Sequence, residues 1–119
     1  AALIETGRNR QALQRLAALE DPDAPDWRLD FFRARCLVGL KQYDAARKLL
    51  GVLLRLRPNH PGVHYYYALT CAPKREWQGA VKHGRLALQH AERDSPTARK
   101  AAVVVLAALW KLDQIQNTP

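Results

Sequence analysis

The chain has 119 residues, of which 48% are hydrophobic and 25% charged, a balance that suits one modest globular core and excludes an extended disordered chain. Its longest apolar run, Ala101 to Trp110, is half the roughly 20 residues needed to cross a bilayer, so no membrane span is expected. The formal charge of +8 is unevenly distributed. Residues 1–30 set four arginines against six acidic residues, a net −2, whereas residues 31–112 set fifteen Lys/Arg against four acidic residues, a net +11. The longer part therefore attracts acidic partners and, less selectively, polyanions.

No alternating apolar pattern and no Asn-Gly or Asp-Gly turn marks a strand. The chain reads as helices throughout. It opens on "AALIETG" without a charged and apolar leader and contains no methionine, which fits a chain processed or excised from something longer. A helix is expected over residues 8–20. The stretch Glu20-Asp21-Pro22-Asp23-Ala24-Pro25 then breaks the chain, and Asp26 caps a second helix over 27–40. A third follows over 43–56 and ends at the rigid break Arg57-Pro58-Asn59-His60-Pro61. Residues 62–72 and 76–92 supply two more, and Ser95-Pro96 opens a last helix over 96–112.

These helices repeat at an interval of 34 residues. "YDAARKLLGVLL" from Tyr43 matches "WQGAVKHGRLAL" from Trp77, and "NRQALQRLAALE" from Asn9 lies one interval earlier. Ala12, Ala46 and Ala80 fall in register, as do Ala34, Ala68 and Ala102. Small residues at one spacing permit close helix crossing, since a larger side chain would hold the axes apart. The pattern resembles the tetratricopeptide repeat family: a small residue in each first helix, an aromatic opening each second helix (Tyr43, Trp77), an alanine three later, and a closing proline at Pro58. Lys41 and Arg75 replace the common turn glycine, which Gly7 keeps, Pro73 shortens one first helix, and Glu92 replaces the closing proline.

The expected fold is therefore all-α, an α-solenoid in which antiparallel helix pairs form a right-handed superhelix, as the resemblance implies. Residues 1–26 are a partial repeat, 27–60 and 61–94 are full repeats, and 95–119 form a C-terminal helix and tail. The resemblance also implies that first helices line a concave face. On that face the 34-residue translation places Arg28, Phe31, Phe32, Arg35 and Val38, then Tyr65, Tyr66 and Leu69, then Arg99, Lys100, Val103 and Leu106. Tyr67 is expected to turn inward, because three successive tyrosines on a helix point about 100° apart. The groove is thus aromatic in the middle and cationic at both ends, a seat for a protein or peptide segment with apolar anchors and acidic flanks. The family's lysine and asparagine clamp for chaperone C-termini is not expected, because the matching positions hold Phe31, Arg35, Tyr66 and Pro96, and only Lys100 agrees.

Catalytic constellations are missing. Ser95 is the only serine and reads as a cap, the six glycines do not cluster, and the acidic residues of the basic part stand apart. His60 and His64 have the spacing of two helical metal ligands, but Pro61 puts His60 outside the helix and no third ligand accompanies them. His83 and His90 read as surface or edge residues, and Cys36 and Cys71 as small buried apolar groups. Neither enzyme activity nor a cofactor or metal is expected. Two alternatives to peptide binding remain: nucleic-acid or polyanion binding through the basic surface, and a recruiting or assembly role within a larger enzyme or secretion machine. The basic residues of the second helices (Arg47, Lys48, Arg55, Lys82, Arg85) are expected on the convex side, away from the rings. "AAVVVLAALW" is apolar all round, so Val104 and Trp110 are expected in contact with a partner or a second copy of the chain. The compartment is not fixed by these residues.

Overall fold

The computed structural model describes residues 2–21, 23 and 25–117. Pro22 and Ala24 of the expected break, the first residue and the final two of the tail lie outside the described residues. Among the described residues six α-helices succeed one another: α1 (Ala2–Leu19), α2 (Trp27–Gly39), α3 (Tyr43–Leu56), α4 (Pro61–Cys71), α5 (Trp77–His90) and α6 (Pro96–Gln116), with a 3₁₀ turn at Ala72–Lys74. Among the described residues there is no strand. Three of the starts are held by side chains that satisfy free amide groups. The Asp26 carboxylate accepts from the Arg28 N–H at 2.9 Å, His60 Nδ1 from Val63 at 3.2 Å, and Ser95 Oγ from Ala98 at 3.2 Å. Pro61 and Pro96 stand at the first helical positions, where no N–H is needed.

Several boundaries differ from the sequence expectation. Helix α1 begins at Ala2 rather than residue 8, so Gly7 lies inside a helix and is not a turn residue. Helix α5 stops at His90 because Ala91 is already extended, with φ −77° and ψ 151°. Helix α6 runs on to Gln116, since neither glycine nor proline interrupts it before then. Left-handed backbone does occur at the turns, on Lys41 (φ 62°), Arg75 (φ 57°) and Asp94 (φ 62°). The first two are where a turn glycine is common in the family, so the chain keeps that geometry without that residue.

Each helix packs on the next, and α2 and α6 also touch α4, so α2, α4 and α6 form one row with α1, α3 and α5 outside it. The result is elongated, 53 × 31 × 25 Å. Its core consists of two clusters. One gathers Ala34, Leu37, Ala46, Leu50, Leu53 and Val63, and the other Cys71, Ala80, Val81 and Ala108. Tyr67 packs against both and joins them. Alanine sits at the crossings: Ala34, Ala46, Ala68 and Ala101 are wholly enclosed and Ala80 is 1% exposed. Ala102, expected to be equivalent to Ala34 and Ala68, is only half-buried. No helix follows α6 among the described residues, so Ala102 helps to floor an open groove of about 370 Å³ with Leu88, Ala91 and Ala98.

Polar groups inside this packing are paired. Arg47 turns into the protein, against the expectation of a convex, solvated position. It donates to the Thr70 carbonyl at 3.2 Å, pairs with Glu76 at 3.0 Å and lies 5.2 Å from the centre of the Tyr67 ring. His83 and His90, expected at the surface or edge, are half-buried. Their rings stack on that of the buried His64, at centroid distances of 5.4 and 6.3 Å. His64 Nε2 lies 2.6 Å from the Pro58 carbonyl, which can only accept, so that nitrogen carries the proton. His64 Nδ1 is then the acceptor, and His83 Nδ1, 3.2 Å away, donates to it. The pair has no room for a second charge. Burial lowers the His83 pKa from 6.5 to about 4, helped by His64, Lys82 and Arg47.

Two outcomes follow from this packing. Gly51 and Gly84 both lie inside helices, but a Cβ at Gly51 meets nothing within 4 Å, whereas one at Gly84 would come within 2.5 Å of Val105 Cγ2. Urea titration should show Gly51→Ala stabilising the fold by about 0.5–1 kcal/mol. Gly84→Ala should lower stability, because overpacking between α5 and α6 costs about 1–3 kcal/mol against that same helix gain. The histidine pair makes stability fall with acidity. Below about 6.5 the unfolded chain takes up a proton that folded His83 declines until about 4, so stability is complete above the upper value and erodes between the two. The urea midpoint should drop from pH 7.5 to pH 5, and His83→Gln, whose amide can still donate to His64, should flatten that dependence.

Candidate functional site

Where α2, α4 and α6 lie side by side, they border a depression of about 220 Å³. Five residues expected in the groove line it: Phe31 and Arg35 from α2, Tyr65 and Tyr66 from α4, and Lys100 from α6. Phe31 and Arg35 are one helical turn apart and therefore share a face. Phe31 meets Tyr66 edge-on at 5.8 Å, and Tyr66 meets Tyr65 at 5.0 Å in the same manner. The Arg35 guanidinium sits over three rings, 5.8 Å from the centre of Phe31 and 5.4 Å from those of Phe32 and Tyr66, the geometry of cation–π attraction.

The remaining expected residues lie elsewhere. Phe32, 49% exposed, is at the rim and meets the site only through Arg35 and Phe31. Arg28 is outside, held to Asp26 at 3.0 Å. Leu69 is half-buried and does not line the depression. Arg99 borders the separate groove beside Ala98 and Ala102, because adjacent helical residues point about 100° apart and Lys100 takes the inner direction. Val103 is exposed on α6, as are Leu106 and Trp110. Val104 turns the other way and packs on the cluster of Cys71, Ala80, Val81 and Ala108, so it is half-buried within the chain rather than free for a second copy. Lys111 covers Trp110, its ammonium 5.5 Å from the ring centre.

Sequence reasoning missed His60, Pro61, Gly62 and Thr97, which complete the lining. His60 does two things at once: its Nδ1 caps α4, and its ring packs edge-on against Phe31 at 5.0 Å and Trp27 at 5.4 Å. Burial and the nearby Arg57 lower its pKa, so it is neutral at pH 7. Gly62 permits the close approach. A Cβ there would lie 2.8 Å from Phe31 Cζ and 3.0 Å from His60 Cε1. The available signal was a glycine in the first turn of a helix with no turn geometry to justify it. Burial, and then Tyr66, push the Tyr65 phenol up from its ordinary value, so it too is neutral and can donate. His60 and His64 point apart, toward Phe31 and His83, and no group of three or more metal-ligating residues occurs among those described.

This arrangement offers rings, two cations and neutral donors. The depression is smaller than the roughly 300–1,000 Å³ of a small-molecule pocket, and suits a side chain presented by a larger partner.

A family model described as tetratricopeptide repeat matches residues 2–69, more than half of the chain. The chain belongs to the tetratricopeptide repeat family. No curated protein and no solved structure matches it. Tetratricopeptide repeats generally mediate protein–protein interaction and are typically non-catalytic. The helical-repeat fold and the match together place this chain among them. Among the described residues no helix is long and apolar enough to cross a membrane. Tyr65, Tyr66, Phe31 and Arg35 lie inside the matched segment, and Lys100 lies beyond it.

Proposed function

We propose that this tetratricopeptide repeat chain is a scaffold module that seats a segment of a partner protein in the depression between α2, α4 and α6. Residues 27–60 and 61–94 are its two full repeats, flanked by a partial unit at 1–26 and a terminal helix and tail at 95–119. The supporting observation is the convergence of Phe31, Arg35, Tyr65, Tyr66 and Lys100, from three helices, on one surface. The rings supply contact area at low entropic cost, and the cations select acidic neighbours in the partner.

The competing reading, a nucleic-acid or polyanion surface, draws on the exposed Lys48, Arg55, Lys82 and Arg85. These belong to α3 and α5, whereas the rings of the depression belong to α2 and α4, and Arg47 is engaged internally. Stacking rings and cations thus do not share one channel on that face. A second reading concerns α6, where Val103 and Leu106 are each 66% exposed and Trp110 57%. A row of this kind favours contact with another apolar surface, including a second copy.

Selection from a displayed peptide library should return sequences with apolar and acidic residues. Phe31→Ala or Tyr65→Ala should weaken the selected peptides about tenfold or more, as for central aromatic anchors, with unchanged circular dichroism. Binding should survive moderate salt. A polyanion surface contacting 6–10 phosphates would instead lose roughly 10³–10⁵ in affinity between 50 and 200 mM salt. For α6, sedimentation should show any association at high concentration abolished by Leu106→Glu with Trp110→Glu, while peptide binding is retained.

A further inference from the structure

Arg35 and Lys100 have no acidic partner among the described residues, and what sets them apart from the other unpaired Lys and Arg is that both line the depression. Arg28 is paired with Asp26, Arg33 with Glu20 and Asp30, Arg47 with Glu76, and Lys74 with Asp44. Neither Arg35 nor Lys100 makes a hydrogen bond or an ion pair among the described residues, although both line the same depression. The Arg35 guanidinium is nevertheless positioned, because Phe31, Phe32 and Tyr66 lie beneath it. An arginine drawn toward ring faces while its N–H groups make no hydrogen bond is suited to bidentate recognition of an oxyanion.

Three properties then select the ligand. Two uncompensated positive charges, on different helices, exceed what one carboxylate would neutralise, and match a phosphomonoester, which carries −1.5 to −2 charge and three acceptor oxygens at neutral pH. The wall beside them is aromatic, with Tyr65 and Tyr66 edge-to-face at 5.0 Å, so the body carrying the phosphate should itself be a flat ring. The depression, about 220 Å³, has space for one substituted ring but falls short of the usual range for pockets that hold larger ligands such as nucleotides. We propose that the depression reads a phosphotyrosine side chain of a partner protein, with Arg35 and Lys100 on the phosphate and Phe31, Tyr65 and Tyr66 against the ring. This rests on the partner-binding reading above and refines it: a phosphorylated tyrosine in the partner strengthens its binding. His60, neutral and engaged with Val63, adds no competing charge.

The test is an NMR titration of the intact chain with N-acetyl-phosphotyrosine amide, the phosphoserine and unphosphorylated tyrosine counterparts, inorganic phosphate and adenosine monophosphate. Phosphotyrosine should bind about tenfold or more tightly than each of the others, since charge-assisted hydrogen bonds and ring contact both contribute. Its shifts should cluster on Tyr65, Tyr66, Phe31 and Lys100. Arg35→Gln should remove about tenfold or more of that affinity, and Arg35→Lys should restore only part, because it keeps the charge and loses the fork. Lys100→Gln, on a different helix from the ring stack, should weaken binding without altering the Phe31 and Tyr66 shifts of the free protein. Equal affinity for phosphoserine or inorganic phosphate would reduce the site to a charge effect and overturn the proposal. Equal affinity for adenosine monophosphate would reassign the site to nucleotides, and indifference to Arg35→Gln would overturn it as well. Library peptides that bind the depression while the phosphotyrosine amide does not would leave the partner-binding reading intact while refuting this one.

Discussion

Everything in this molecule depends on how closely its helices cross. At each crossing stands an alanine with almost no exposed surface: Ala34 and Ala46 in one helix pair, Ala68 and Ala80 in the next, Ala101 on the last helix. A methyl group lets the axes approach until the flanking leucines and valines interlock, and the larger side chains then complete two small clusters. Neither cluster would be a sufficient core alone. Tyr67 touches both, and Arg47 ties α3 to the end of α4 through Thr70 and to the start of α5 through Glu76. Stability is distributed along the row of helices rather than concentrated in a centre, as expected when each unit contacts only its neighbours.

That same close stacking creates the candidate site. Because α2, α4 and α6 run side by side, residues far apart in sequence, such as Arg35, Tyr65 and Lys100, come to one depression. The site is built from backbone economy as much as from side chains. Gly62 lets the Phe31 ring lie against the first turn of α4, and His60 closes that turn while packing on the same ring. The Arg35 guanidinium lies 5.4–5.8 Å from three ring centres, so cation–π attraction draws it toward the depression.

The histidines illustrate the opposite use of polar groups. His64 and His83 share one hydrogen bond inside the α4–α5 contact, and the first also binds the carbonyl of Pro58. Their geometry fixes the tautomers and leaves no buried side-chain nitrogen or oxygen without a partner among the described residues. These groups specify how α4 and α5 meet, and they are remote in role from the depression, where the cations are left unpaired.

The amino-acid sequence by itself determined the helical class, the 34-residue rhythm and most helix starts, because capping residues, prolines and small residues at crossings act locally or recur at a fixed interval. It also placed Phe31, Arg35, Tyr65, Tyr66 and Lys100 on one face, since a repeat translates a face along with its residues. Only the tertiary structure decided that Arg99 and Val103 fall outside the depression, that Val104 turns inward and that Arg47 is sequestered. Each of those depends on which neighbour lies across from a helix, and on a rotation of about 100° between adjacent residues. The roles of Gly62, His60 and the His64–His83 pair were equally hidden, because a close approach or a shared proton belongs to two segments at once and leaves no mark in either one alone.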